Sequence, residues 1–165
     1  MGAAQRLAEL GITLPDVAAP LAAYVPAVRF GDLIYTSGQL PTTGGRLAAT
    51  GKVGAEVSVE EAVRCARTAA LNGLAAIAAL AGGPDGVDSI VRVIKVVVYV
   101  ASAPEFTGHP QVANGASELL GEVFGEAGRH ARSAVGVASL PLDAPVEVEL
   151  IVEVGSRPTI RPLSV

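Results

Sequence analysis

The sequence predicts an α+β domain in which one sheet carries two helices on one face. Three observations predict it. A capped, alanine-rich segment of helical period follows two short strand-like runs. A long β-branched segment follows that helix. The described order then closes on two further strand-like runs, the last with strict apolar/acidic alternation.

Taken in order, Gln5 to Gly11 reads as a short amphipathic helix, with Leu7 and Leu10 on one side and Gly11 as its stop. Pro15 to Ala23 is rich in Pro and Ala and reads as an extended linker. Ala27 to Phe30 and Leu33 to Gly38 are two strands around Gly31-Asp32, a hairpin turn signal. Pro41 to Gly54 is crowded with Gly and Pro, so it reads as loop with room for one short strand. Ser58 and Glu61 form a capping box, which opens a helix over Val59 to Ala81. Leu71, Leu74 and Ile77 mark its apolar side, and Gly82-Gly83-Pro84 ends it.

Ile90 to Ala101 is apolar and β-branched apart from Arg92 and Lys95, which predicts a long strand. Phe106 to Phe124 contains a second helix, best supported from Asn114 onward, where Asn114 reads as an N-cap. Ala131 to Ala138 and Val146 to Val154 are the closing strands. Ser156 to Val165 reads as a tail. The chain is thus one domain over 1–165: an extension at 1–23, a core at 24–154 and a tail at 155–165.

Two helices cover one face of such a sheet. Val91, Val93, Ile94, Val96, Val97, Val98 and Val100 present apolar side chains to both faces, because side chains alternate along a strand. The uncovered face therefore needs a partner, and a second copy of the chain is the economical one. This predicts a homo-oligomer with its pocket near a subunit boundary.

Composition narrows the function classes. Of 165 residues, 50% are hydrophobic and 17% charged, which excludes a disordered chain. A net charge of −4 gives no electrostatic footprint for nucleic acid or an anionic membrane, so neither is expected as a partner. Aromatic residues are 4% of the chain, too few for a base-stacking surface. No apolar run reads as an uninterrupted bilayer span, and Met1 to Leu14 lacks the pattern of a signal peptide. The 1 cysteine leaves no intrachain disulfide and fits a reducing cytosol.

Arg132 carries the chemistry. It sits among small residues in Ala131-Arg132-Ser133-Ala134-Val135-Gly136-Val137, so its permanently charged planar fork is uncrowded. A small carboxylate-bearing ligand is the functional reading; the competing one pairs Arg132 with a nearby Glu. Glu147, Glu149 and Glu153 share one face of the last strand, and one of them could position a water or move a proton. Gly45 to Lys52 fails as a phosphate loop: its spacing is one residue too long and Val53 stands at the magnesium-binding position. His109 and His130 have no Cys or acidic residue at ligand spacing, so no metal is expected, and His130 reads as a surface residue. Cys65 reads as a small core residue. Ser37 lacks the flanks of a nucleophile elbow.

Two segments resemble the Rid/YjgF (L-PSP endoribonuclease-like) family. Tyr24-Val25 with Val28-Arg29-Phe30-Gly31-Asp32-Leu33-Ile34-Tyr35-Thr36-Ser37-Gly38-Gln39-Leu40-Pro41 resembles its N-terminal signature. Ala131-Arg132-Ser133-Ala134-Val135, Leu140-Pro141 and Val146-Glu147-Val148-Glu149 resemble its C-terminal signature. The extension at 1–23 and the segment Asn114-Gly115-Ala116-Ser117 suggest a longer branch. The resemblance implies a chorismate-mutase-like fold, a homotrimer with ligand sites between subunits, and no cofactor. It implies hydrolysis of reactive enamines and imines to 2-keto acids and ammonia. Carried over by position, Arg132 binds the carboxylate, Tyr24 lines the cleft, Ser37 and Asn114 help hold the ligand, and Glu147 orients the attacking water. Two departures stand out: Ala134 where the deaminase branch often has Cys, and Gly136 where it often has Glu. They leave a non-catalytic carboxylate-binding or regulatory module as the alternative. A ribonuclease is disfavoured by the acidic balance and the absence of a basic groove.

Overall fold

A computed structural model describes residues 2–17 and 23–155. Of the expected linker from Pro15 to Ala23, residues 18–22 lie outside the described residues, as does the expected tail over 156–165. Helix α1 spans Ala3–Glu9 and buries Leu7; Gly11, at φ +69°, turns the chain away as expected. Strands β1 (Ala27–Phe30) and β2 (Leu33–Thr36) pair antiparallel with Phe30 opposite Leu33, so Gly31 and Asp32 are the whole turn. A small hairpin, β3 (Thr42–Thr43) and β4 (Arg46–Leu47), occupies the glycine-rich loop.

Helix α2 runs Val59–Ala81, the span its caps predict: the Glu61 amide donates to Ser58 Oγ at 3.2 Å, and Gly82 leaves the helix at φ +124°. By length and apolar composition α2 could cross a membrane, which corrects the reading that no run is long enough. Yet 56% of its most apolar window is buried within the fold, as suits a core helix. Strand β5 is Ile90–Ala101. Helix α3 is His109–Phe124, so it begins at Gly108 with Pro110 in its first turn. Asn114 is therefore interior to the helix and not its cap. Strands β6 (Ala131–Val137) and β7 (Val146–Val154) are the last elements among the described residues.

The five long strands form one sheet in the order β1-β2-β7-β5-β6. All neighbours are antiparallel except β5 and β6, whose parallel pairing is bridged by α3. The helices cover one face, burying Ile34, Val93, Val96, Val98, Val100, Val148, Leu150 and Val152. Val93 and Val96 both face inward although three apart, because β5 carries irregularities between Ile90 and Arg92 and between Val93 and Lys95. Val91 is accordingly exposed and Val97 only half-buried. The uncovered face displays Lys95, Val97, Tyr99, Glu147, Glu149, Ile151 and Glu153, a mixed surface less apolar than the valine run suggests.

Candidate functional site

Arg132 lies opposite Val96 on β5, which lies opposite Leu150 on β7, so its side chain leaves the sheet on the helix-covered face. Because β6 is an edge strand, the long side chain escapes the core and runs along α3. There Asn114 and Ser117, three apart and so on one side of the helix, meet it. Arg132 Nη1 donates to Asn114 Oδ1 at 2.8 Å and to Ser117 Oγ at 3.1 Å. Those two bonds use both Nη1 hydrogens. The Nε–H and Nη2 hydrogens remain, and they form the edge of the guanidinium that grips a carboxylate with two parallel bonds. Among the described residues no carboxylate pairs with Arg132. The competing reading, an Arg held by a nearby Glu, is thereby excluded among those residues.

The position of α3 depends on Gly115. A Cβ there would strike the Val63 carbonyl of α2, so glycine lets the two helices approach closely enough to set Asn114 and Ser117 over β6. Ser117 also meets a residue placed on the surface by sequence reasoning. His130 is half-buried and bonded at both ring nitrogens: Nδ1 to the Gly128 carbonyl at 2.6 Å and Nε2 to Ser117 Oγ at 3.0 Å. The other imidazole, His109, bonds Ser102 Oγ through Nε2 at 3.0 Å and meets the Phe106 ring edge-on. A Cβ on Gly136 would run into both partners of that pair, so His109 covers the strand where a larger residue could otherwise stand.

The remaining candidates gather elsewhere. Ser37 follows β2, and its hydroxyl donates to the Val25 carbonyl at 2.6 Å, beside the exposed Tyr24. Glu147 stands opposite Tyr99 and fills the space over Gly38, where a Cβ would collide with its carboxylate. Burial first, and the charge of Glu149 second, push the Glu147 carboxyl above the usual carboxylate range. Tyr99, half-buried, donates to Glu149 Oε2 at 3.3 Å; burial and that carboxylate raise its phenol. Asn72, 9% exposed on α2, ties down the approach to this region: its Nδ2 donates to the Leu40 carbonyl at 2.8 Å and to Thr42 O and Oγ1 at 3.1 and 3.2 Å.

Arg132 and Asn114 are thus brought together, and Tyr24, Ser37 and Glu147 are not brought to them within one chain. Glu147 is on the opposite face of the sheet from Arg132. Tyr24 adjoins β1, the far edge from β6, four strand spacings or about 19 Å away. Sequence reasoning missed Ser117 and the bonded His130. The spacing of Asn114 and Ser117 was the available signal, but it acquires meaning only once α3 is known to cross β6.

Cys65 is buried in α2; burial chiefly, and Glu61 next, raise its thiol to about 11, so it is no nucleophile. Among the described residues no group of three or more His, Cys, Asp and Glu could hold a metal ion. A cavity of about 660 Å³ is lined by α1, the segment after it, α2 and the turn that follows α2, and includes none of the candidate residues.

The family model described as "YjgF/chorismate-mutase-like, putative endoribonuclease" matches residues 4–154. TCP17 of Trypanosoma cruzi is 46% identical over 154 residues, 93% of this chain and 94% of that one. The solved Agrobacterium tumefaciens protein Atu1372, of unknown function, is 50% identical with a TM-score of 0.80, covering 92% of this chain and 91% of that chain. Escherichia coli TdcF, solved with bound serine, is 26% identical with a TM-score of 0.58 over 87% of this chain and 94% of its own. Two signature segments, the sheet order and these matches together make the chain a member of the YjgF/chorismate-mutase-like family.

Proposed function

We propose that the protein binds a small 2-imino or 2-keto acid through Arg132, in a cleft completed by a second copy of the chain within a homotrimer, and hydrolyses the imine to 2-keto acid and ammonia. The observation that carries this reading is the guanidinium itself: half-buried, braced through Nη1 by two neutral acceptors, and with its Nε/Nη2 edge unspent among the described residues. The serine bound by TdcF supports a ligand of this size with a carboxylate at one end.

In this mechanism the Nε/Nη2 edge holds the carboxylate and Asn114 keeps the fork in plane. An imine carbon is already electrophilic, so a positioned water supplies most of what the reaction needs. Water oxygen bonds to C2 as the C=N electron pair moves onto nitrogen, the two water protons pass in turn to that nitrogen, and the C–N bond breaks as the C=O bond forms, releasing ammonia and leaving the keto acid. Glu147 orients that water, and the burial that raises its carboxyl above the usual carboxylate range, with the charge of Glu149 second, makes it a readier proton acceptor than an exposed carboxylate. Since Glu147, Ser37 and Tyr24 stand away from Arg132 within one chain, a second copy supplies them.

The test compares wild type with Arg132→Ala on freshly generated 2-iminopropanoate, reading ammonia. Faster release by wild type is the expected result; equally slow release by both refutes the reading. A binding module without turnover is the second reading. It is favoured by Ala134 and Gly136, which bring no functional group beside Arg132, and by His109 covering Gly136. Calorimetry would then show 2-keto acid binding, lost in Arg132→Ala, with no ammonia from either protein.

A further inference from the structure

We infer that Ser117 and His130 are positioning residues that set the carboxylate-gripping edge of Arg132, through a directed hydrogen-bond relay starting at the Gly128 carbonyl. The inference rests on the carboxylate reading of Arg132.

The direction of each bond follows from the partner before it. The Gly128 carbonyl only accepts, so the His130 Nδ1 at 2.6 Å carries the hydrogen and donates. In the neutral ring Nε2 is then a bare acceptor, and the Ser117 hydroxyl 3.0 Å away must donate to it. With its only hydrogen committed, Ser117 Oγ presents lone pairs alone, and Arg132 Nη1 donates into one at 3.1 Å. Asn114 Oδ1 takes the other Nη1 hydrogen at 2.8 Å. The guanidinium plane is fixed by two acceptors on one nitrogen, which aims the opposite edge outward.

The relay is anchored at its origin. Gly128 is buried, and a Cβ there would collide with the Leu120 carbonyl of α3, so only glycine allows this close approach of backbone to helix. The origin of the relay and the helix carrying Ser117 and Asn114 are therefore packed as one piece. Without Ser117, Arg132 keeps the Asn114 bond alone and can swing about it; without His130, the Ser117 hydroxyl loses the acceptor that orients it towards Arg132.

Two measurements on the full chain test this. Long-range proton–nitrogen NMR of the 15N-labelled protein reads the tautomer of each of the 2 histidines, with His109→Gln used for assignment. His130 is expected as the neutral Nδ1–H form, the less favoured one for imidazole free in water. The Nε2–H form, or a rapidly averaged ring, overturns the relay. Calorimetric titration with pyruvate gives the second readout. Ser117→Ala is expected to bind about three- to tenfold more weakly, because it loses one of the two braces on the guanidinium and no direct bond to the ligand. Ser117→Thr, which keeps the hydroxyl, is expected within about twofold of wild type on the same scale. Wild-type affinity in Ser117→Ala alongside loss in Arg132→Ala overturns the relay and leaves the carboxylate reading standing. Wild-type affinity in Arg132→Ala overturns both.

Discussion

Asn72→Asp is a near-isosteric change whose cost follows from three bond lengths. The Asn72 amide nitrogen serves the Leu40 carbonyl at 2.8 Å and shares its second hydrogen between Thr42 O and Oγ1 at 3.1 and 3.2 Å. Replacing that NH2 by oxygen removes two neutral hydrogen bonds, about 2 kcal/mol at roughly 1 kcal/mol each. It also turns an acid towards carbonyl oxygens at a site only 9% exposed, which disfavours ionisation. The total expected loss near neutrality is about 3 kcal/mol, or roughly 6–12 °C in Tm for a domain of this size. The introduced Asp would titrate above its unfolded value. The protonated form is then favoured by folding, so the added penalty is absent below the unfolded pKa and grows as pH rises through the folded one. Urea melts of both proteins at about pH 4 and about pH 7 isolate the effect as a difference between variants. A variant that melts with wild type, or a deficit identical at both pH values, refutes the reasoning.

Gly115→Ala should destabilise by about 1–3 kcal/mol, because the new methyl meets the Val63 carbonyl and α3 must withdraw from α2. Pyruvate affinity, read by calorimetry, should fall with it, since Asn114 and Ser117 move with the helix; unchanged stability would contradict the close packing. For Glu147→Gln, the wild-type carboxyl is held above its ordinary range by burial and then by Glu149. A raised acid stabilises least once ionised, so wild-type stability falls as pH climbs from the ordinary carboxylate range through the raised value. Gln escapes that loss. Urea melts across this window should show the variant gaining on wild type, while ammonia release from 2-iminopropanoate falls.

The fold was legible where its signals are local. The bounds of α2 follow from Ser58, Glu61 and Gly82, each acting within one turn of the helix end. The start of α3 was misread because Asn114 is a good cap residue in isolation, whereas Gly108 and Pro110 decide the boundary. The facing of β5 was half legible: alternation placed Val96, Val98 and Val100 together, but irregular pairing near its start reset the phase at Val93. At the candidate site Arg132 was legible from its small neighbours. Its contacts with Asn114 and Ser117 were not, since they are made between a helix and a strand that meet only in the tertiary fold. His130 misled for the same reason: its own neighbours in sequence say nothing of the helix packed over it.

The strand order leaves Arg132 on one border of the sheet and the Tyr24–Ser37 corner on the other. On the proposed reading, a solitary folded chain is therefore two unfinished halves of different sites, competent in structure and idle in chemistry. Dilution alone would silence it without melting a single helix, and anything that governs how often copies meet would govern the reaction.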